Sequence, residues 1–229
     1  MPEHDPVYRQ NAEDYHALVM VEDWQGNLLP AVERACPLDG LDAVELGAGT
    51  GRLTALIAPR LRSLLALDAS PHMLNAARAH LARLAIPPVP LACADHRHLP
   101  LPSGIADLVI AGWSLVYLFT WHPQDWREQL GMGLAEMRRL MRPWGRIVLV
   151  ETLGTGAEAP VLTGKLAPYY QALEAAGFTW DWVRTDYRFS SLTEARRLTE
   201  FFFGADMLAH LDEASLTLPE CTGIWRRGV

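Results

Sequence analysis

The chain has 229 residues, half of them apolar and 21% charged, with 20 Lys and Arg against 27 Asp and Glu and a formal net charge of -7. That length suits one α/β domain with an added segment, and so large an apolar share excludes a long disordered tail. The arginine pairs are scattered (Arg138 and Arg139, Arg196 and Arg197, Arg226 and Arg227), which argues against nucleic acid as a partner, because phosphate-backbone binding rests on clustered cations.

The first ten residues, MPEHDPVYRQ, are polar and lack the apolar core of a secretory signal. The densest apolar run, 108–119, is too short to span a bilayer, so no membrane partner is expected. Cys36, Cys93 and Cys221 are odd in number and far apart, which suggests neither a disulfide framework nor a metal site. These features together predict a cytoplasmic protein without a bound metal.

In chain order, residues 1–38 carry two helical periods, Asn11 to Trp24 and Leu28 to Ala35, and no strand; they read as a helical cap on a sheet. Short apolar runs follow at Ala43 to Leu46, Ser63 to Asp68, Val89 to Ala94, Ala106 to Ala111 and Arg146 to Thr152. Continuous runs of this kind mark strands buried on both faces. Between them lie helical periods. After Ser70 and Pro71, apolar residues recur at Met73, Ala77, Leu81 and Leu84, with Ser70 as N-cap and Pro71 in the first turn. From Asp125, the positions Trp126, Leu130, Leu134, Met137 and Met141 share one face, and Pro143 ends the helix. Alternating strands and helices predict a doubly wound, mostly parallel α/β sheet with right-handed crossovers. Residues 155–165, rich in Gly, Thr and Ala, read as a mobile loop. Then come a helix over Ala167 to Ala176, a strand-like Phe178 to Phe189, a capping box at Ser191-Leu192-Thr193-Glu194, and a last run, Thr222 to Arg226, expected to return as an antiparallel edge strand.

The informative segment is Ala43-Val44-Glu45-Leu46-Gly47-Ala48-Gly49-Thr50-Gly51-Arg52-Leu53, a strand that enters three alternate glycines and then a helix. Glycines there let the backbone turn sharply and let a ligand approach without interference from a Cβ. The helix start adds unpaired N–H groups at the carboxyl end of the first strand, where open α/β sheets bind ligands. A turn that merely needs small residues is the plainer explanation of an isolated match. Spacing discriminates among ligands. The dinucleotide fingerprint is G-x-G-x-x-G and a phosphate-binding P-loop ends in G-K-[ST]; here the pattern is G-x-G-x-G followed by Arg52. A pyrophosphate ligand is therefore disfavoured, and a nucleoside without phosphates fits better. Asp68 closes the second strand, where a carboxylate can accept both ribose hydroxyls. Asp95 closes the third, where it can accept from an exocyclic amino group or simply be a loop Asp. Glu45 lies inside an apolar strand and needs a partner, such as a ligand ammonium.

These segments resemble the class I S-adenosylmethionine-dependent methyltransferases. The first-strand segment is similar to motif I, [VL]-[DE]-[LIV]-G-x-G-x-G, and Asp68-Ala69-Ser70-Pro71-His72-Met73-Leu74 to the second-strand signature D-x-S-x-x-M-L. Asp95 followed by Leu99-Pro100-Leu101-Pro102 resembles D-x-x-x-L-P-[FL]. Ala106-Asp107-Leu108-Val109, Ser114, and the helix ending Glu136-Met137-Arg138-Arg139-Leu140-Met141-Arg142-Pro143 fit in order. The resemblance covers about residues 40–152 and is nearest to small-molecule enzymes of the quinone-biosynthesis type. It implies a Rossmann-like seven-stranded sheet and one methyltransferase domain over 1–229: a helical cap (1–38), a cofactor-binding core (39–152), and a C-terminal part (153–229) that completes the sheet and faces the acceptor.

Carried over, the resemblance implies S-adenosyl-L-methionine as cofactor. Glu45, Gly47, Ala48 and Gly49 would lie at its methionine end and Asp68 at the ribose. Ala69 and Met73 would lie along the adenine, Asp95 and His96 at its amino edge, and Trp113 beside the sulfonium. Two positions depart from the family: Pro143-Trp144-Gly145 stands where Pro-Gly-Gly is usual, and Tyr117 where many relatives have His. No [DN]-P-P-[YF] follows the fourth strand (it reads Ala111-Gly112-Trp113-Ser114), which leaves a small organic acceptor as the expected partner. Tyr15, His16, Tyr117 and His122 are candidate bases by their expected place near the mouth, though packing or surface roles explain such residues as well. The alternatives are an NAD-dependent Rossmann oxidoreductase, disfavoured by the glycine spacing, and a non-catalytic cofactor-binding protein of the same fold.

Overall fold

The computed structural model describes residues 12–228. Its sequence of elements is α1 (Ala12–Met20), α2 (Leu28–Ala35), β1 (Asp42–Leu46), α3 (Arg52–Ile57), β2 (Ser63–Asp68), α4 (Pro71–Arg83), β3 (Leu91–Cys93), β4 (Ala106–Gly112) and α5 (Val116–Thr120). It continues with α6 (Trp126–Leu140), β5 (Met141–Thr155), α7 (Ala167–Ala175), β6 (Thr179–Arg184), β7 (Tyr187–Arg188), α8 (Leu192–Phe203), β8 (Thr217–Leu218) and β9 (Glu220–Gly228). Seven strands form one sheet in the order β3-β2-β1-β4-β5-β9-β6, and β7 and β8 form a separate antiparallel pair. β1 pairs in parallel with β2 and β4, and β4 with β5, while β9 is antiparallel to both β5 and β6.

The apolar runs form strands because both faces are covered. Along β4, Val109 and Ala111 enter one apolar cluster with Trp126, Leu130, Leu134 and Met137 of α6, while Leu108 and Ile110 enter the other with Leu28, Val32 and Ala35 of α2. The period of two thus sends alternate side chains into two helical layers. Ser70 caps α4 as expected, its hydroxyl accepting from Met73 N–H at 3.3 Å. At α8 the Ser191 hydroxyl accepts from Glu194 N–H, but the Glu194 carboxylate reaches back one residue further than a capping box requires, to Ser190.

Several boundaries differ from expectation. The first helix ends at Met20 rather than at Trp24, and its expected start, Asn11, lies outside the described residues. The third strand is only Leu91–Cys93, because Pro90 has no N–H to give a ladder. Met141 leaves the helix and opens β5 opposite Ala106. The run 178–189 breaks after Arg184, where the Asp186 carboxylate takes the Arg184 guanidinium at 2.7 Å and the N–H of Glu220 at 3.0 Å, and the chain turns off the sheet. The final run is antiparallel but lies one place in from the edge, between β5 and β6. Its Ile224 and Trp225 are buried, which an edge position exposed on one side would not achieve. The cap is also divided. α2 covers the sheet, whereas α1 joins a third apolar cluster in which Leu18 meets Tyr187, Phe189, Ala195 and Leu198. That cluster stands over the carboxyl ends of the parallel strands.

At the opposite end of the strands, the Asp107 carboxylate accepts from Asp42 N–H at 3.0 Å and from Arg142 at 2.9 Å, and Arg62 and Ser63 close on Asp42. Just beyond, Trp144 occupies the left-handed region (φ 72°) and is 90% exposed. An L-residue there carries strain of roughly 1–2 kcal/mol, and no burial offsets it. Trp144→Gly, which restores the glycine usual in this turn, is expected to stabilise the fold by about 1 kcal/mol and raise the melting temperature by roughly 2–4 °C. Thermal unfolding measures it; a lower melting temperature would show that the indole has a contact worth more than the strain.

Candidate active site

The turn after β1 is tied to the tip of β2. Gly47 and Ala48 donate their N–H groups to the carbonyl of Leu67 (2.7 and 2.9 Å), and Gly49 N–H donates to Asp68 Oδ2 at 2.8 Å. Asp68 Oδ1 accepts from Ser70 N–H at 2.8 Å, so one carboxylate orders the glycine turn and the start of α4 together. Gly47 has φ 74°, and a Cβ on it would come 2.2 Å from the Cβ of Ser114. Gly49 has φ 54°, and a Cβ there would meet nothing nearer than the Tyr15 hydroxyl at 3.8 Å. The first glycine is required by packing; the second keeps open the floor of a cleft.

That cleft brings together most of the residues singled out from sequence. Gly47, Gly49, Asp68, Ala69, Met73, Asp95, His96 and Trp113 line it, with Tyr15 from α1 and Tyr117 and His122 from the α5 region. Glu45 and Ala48 line a second cavity that adjoins it. His16 lines neither: its Nδ1 is 3.0 Å from the Thr50 hydroxyl and its ring packs edge-on to His80. A helical period places a residue on a face of α1, but which face the fold turns to the cleft is a long-range matter.

Hydrogen bonding defines the state of several groups. Ser114 Oγ donates to the Leu46 carbonyl at 2.9 Å, which uses its only proton. The contact with His96 Nε2 at 3.2 Å therefore has the imidazole as donor and leaves Nδ1 as an acceptor. Burial holds the His96 pKa below its ordinary value, against the opposing charges of Asp68 and Asp95, which keeps the ring neutral. Asp95 is clamped by Arg97 through Nε (2.8 Å), Nη2 (2.5 Å) and the backbone N–H (2.9 Å), and its pKa falls to about 2. One lone-pair direction on Oδ2 remains for an outside donor. Burial and the neighbouring Tyr117 push the Tyr15 hydroxyl up, so it stays a phenol. Trp113 at the end of β4 is held in the left-handed region (φ 47°), with the Arg52 guanidinium 4.2 Å from its ring centroid. Such strain persists where the surroundings over-determine it.

The second cavity contains residues that sequence reading did not single out: Glu22, Arg52, Glu151 and Glu220, beside Glu45. Glu22 and Arg52 form an ion pair. Glu45 Oε2 accepts from the Thr54 hydroxyl at 2.7 Å, and burial raises its pKa to about 7. Glu151 Oε1 accepts from the Tyr169 hydroxyl at 2.8 Å, and Glu220 Oε1 from Thr152 at 2.6 Å. Burial lifts both to about 8, helped at Glu220 by the charge of Glu22. Glu151 shares the signal that marked Glu45, a carboxylate inside an apolar strand. Glu22 and Glu220 carry no local signal, since only tertiary pairing brings them in.

Residues 44–149 match the family described as Methyltransferase domain. An uncharacterized methyltransferase of Mycobacterium tuberculosis is 30% identical over 148 residues, 62% of this chain and 51% of that one, so the chain spans about half the length of this relative. A malonyl-[acyl-carrier protein] O-methyltransferase of Laribacter hongkongensis is 35% identical over 129 residues, 53% of this chain and 39% of that one. A solved SAM-dependent methyltransferase from Aquifex aeolicus superposes with a TM-score of 0.56 at 14% identity, covering 98% of both chains, which shows a shared fold. The G-x-G-x-G turn pinned to Asp68, the strand order and these matches agree in supporting a class I S-adenosylmethionine-dependent methyltransferase domain over residues 44–149, and they do not favour the dinucleotide oxidoreductase reading.

Proposed function

We propose that the protein transfers the methyl group of S-adenosylmethionine to a small organic acceptor in the cytoplasm, where its three unpaired cysteines are at home. The observation that carries this reading is the continuity of two cavities: Tyr15, Gly47, Gly49, Gly112, Trp113 and Tyr117 line both. The first suits the cofactor, with Asp68 for the ribose diol, Ala69 and Met73 along the base, and Asp95 and His96 at its edge. The second takes the methionine end of the cofactor at Glu45 and Ala48 and suits the acceptor beyond them. Among the described residues no helix is long and apolar enough to cross a membrane.

When bound, the cofactor supplies a methyl carbon activated by its sulfonium. The chain's own residues align and shield. The open floor at Gly49 admits the cofactor, Trp113 and Tyr117 stand where the two cavities meet, and the aromatic walls exclude water. Orientation of this kind is worth roughly 7–11 kcal/mol. With a protonated phenol, Tyr15 positions rather than abstracts a proton, and the carboxyls of the second cavity are the groups with pKa values near neutrality. An acid such as the malonyl group named for the Laribacter relative does not suit a cavity whose four carboxyls face one guanidinium.

Calorimetry with S-adenosylmethionine tests the cofactor side. Asp68→Ala removes the charge-assisted acceptor and loosens the turn, and is expected to weaken binding at least about tenfold, roughly 1.4 kcal/mol. No binding to the unaltered protein would refute the proposal. Transfer of labelled methyl groups to a panel of small acceptors separates an enzyme from a non-catalytic binder.

The buried carboxyls set a pH dependence. Glu151 keeps its proton in the folded state up to about pH 8, whereas in the unfolded chain it ionises near pH 4.5. The folded state holds more protons in that window, so this group lowers stability progressively as pH rises through it, and by a constant amount above. Glu151→Gln removes the effect. The melting temperature of the variant relative to the parent is expected to rise between pH 5.5 and 8.5; a pH-independent difference would mean that Glu151 is charged and compensated throughout.

A further inference from the structure

Two carboxyl groups in the second cavity lack part of their bonding. Glu151 and Glu220 are each only 1% exposed, both line the cavity, and the Oε2 atom of each has no hydrogen-bond partner. Their other oxygens are satisfied by Tyr169 and Thr152. Burying a carboxyl with an unmet oxygen is costly, and a plain core would not retain two such groups in one place. Of the other charged groups nearby, Arg52 is paired with Glu22 but keeps one buried donor, Nη2, without a partner, and Glu45 is bonded to Thr54. The cavity thus has more carboxyls than cations in its lining, four glutamates against Arg52, and two of those carboxyls keep an unmet oxygen. Its remaining walls are apolar and aromatic, with Trp113, Tyr187, Phe202 and Phe203 among them. Aromatic faces attract cations and also bury hydrocarbon.

We infer that the methyl acceptor carries a basic amine on an apolar or aromatic body, and that its ammonium group seats against Glu151 and Glu220. The inference rests on the reading of the second cavity as the acceptor site. An ammonium at this place offers donors to both Oε2 atoms and favours the ionised carboxylates, which makes the hydrogen bonds charge-assisted; a neutral or anionic acceptor lacks that second gain. It also fits the raised pKa values of both carboxyls when no cation faces them: burial is the largest cause at each, joined at Glu220 by the charge of Glu22, and a bound ammonium would favour the ionised form.

Calorimetry on the full chain saturated with S-adenosylhomocysteine tests this with three amines (phenethylamine, tryptamine and 1-aminohexane) and two isosteres of the first, 2-phenylethanol and phenylacetate. At least one amine is expected to bind, with the alcohol and the acid at least tenfold weaker than phenethylamine. Glu151→Gln and Glu220→Gln should each weaken the bound amine tenfold or more while changing the affinity for S-adenosylhomocysteine less than twofold. The inference is overturned if the alcohol or the acid binds as well as the amines, if no amine binds to protein that holds S-adenosylhomocysteine, or if the substitutions leave amine binding unchanged. It is also overturned if the substitutions weaken binding of S-adenosylhomocysteine as much as that of the amine, because the carboxyls then serve the ammonium of the cofactor. Should either variant fail to fold, the ranking of amine, alcohol and acid on the unaltered protein still decides. A protein that binds no S-adenosylhomocysteine at all would instead bring down the methyltransferase proposal itself, and this inference with it.

Discussion

The attachment of the first β-α turn to the neighbouring strand tip is the constraint on which this site depends. Three consecutive N–H groups, from Gly47, Ala48 and Gly49, are spent on the Leu67 carbonyl and the Asp68 carboxylate. That arrangement demands positive φ at Gly47 and Gly49, and it demands that Ser114 from the next strand lie where a Cβ would otherwise be. The same carboxylate starts α4 through Ser70. Asp68 therefore orders the floor of the cleft before it meets any ligand. A preorganised carboxylate with its charge already stabilised by backbone dipoles keeps its geometry when a ligand arrives.

Stability and chemistry occupy opposite ends of the sheet. Where the parallel strands begin, Asp42, Asp107, Arg62 and Arg142 form a polar clamp in which every carboxylate has partners, and Asp42 and Asp107 are held below the usual carboxylate range by those guanidiniums and hydrogen bonds. Where the strands end, Glu45, Glu151 and Glu220 are buried with few partners and pushed the other way. The carboxyls where the strands begin are matched within the fold, whereas Glu45, Glu151 and Glu220 are left short; Asp95, clamped by Arg97 and lowered in pKa, follows the first pattern although it lines the cleft.

The cavity proposed for the cofactor was legible in the sequence because its parts are local. A strand ending in alternate glycines, a second ending in Asp68 and an N-capped helix are each contained within a dozen residues, and parallel pairing places their carboxyl ends side by side. The one proposed for the acceptor was not legible for the converse reason. Glu22 reaches the cavity through a bridge to Tyr187, and Glu220 because β9 is inserted between β5 and β6. These contacts join positions from tens to more than a hundred residues apart, and no periodicity encodes them. Glu151 lies between the two cases. Its run, RIVLVET, reads as a strand, and its carboxylate gains meaning only when Thr152, Tyr169 and the end of β9 are placed around it.

The third apolar cluster has a consequence for how the interior is enclosed. Leu18, Tyr187, Phe189, Ala195 and Leu198 pack on one another, and through this small shared nucleus α1 and α8 form a canopy above both chambers. Its polar ties downward include the Glu22–Arg52 pair and the link from Thr185 to Thr222. The roof over both cavities is thereby drawn from the two ends of the chain, which share one apolar nucleus, while the parallel strands supply the floor.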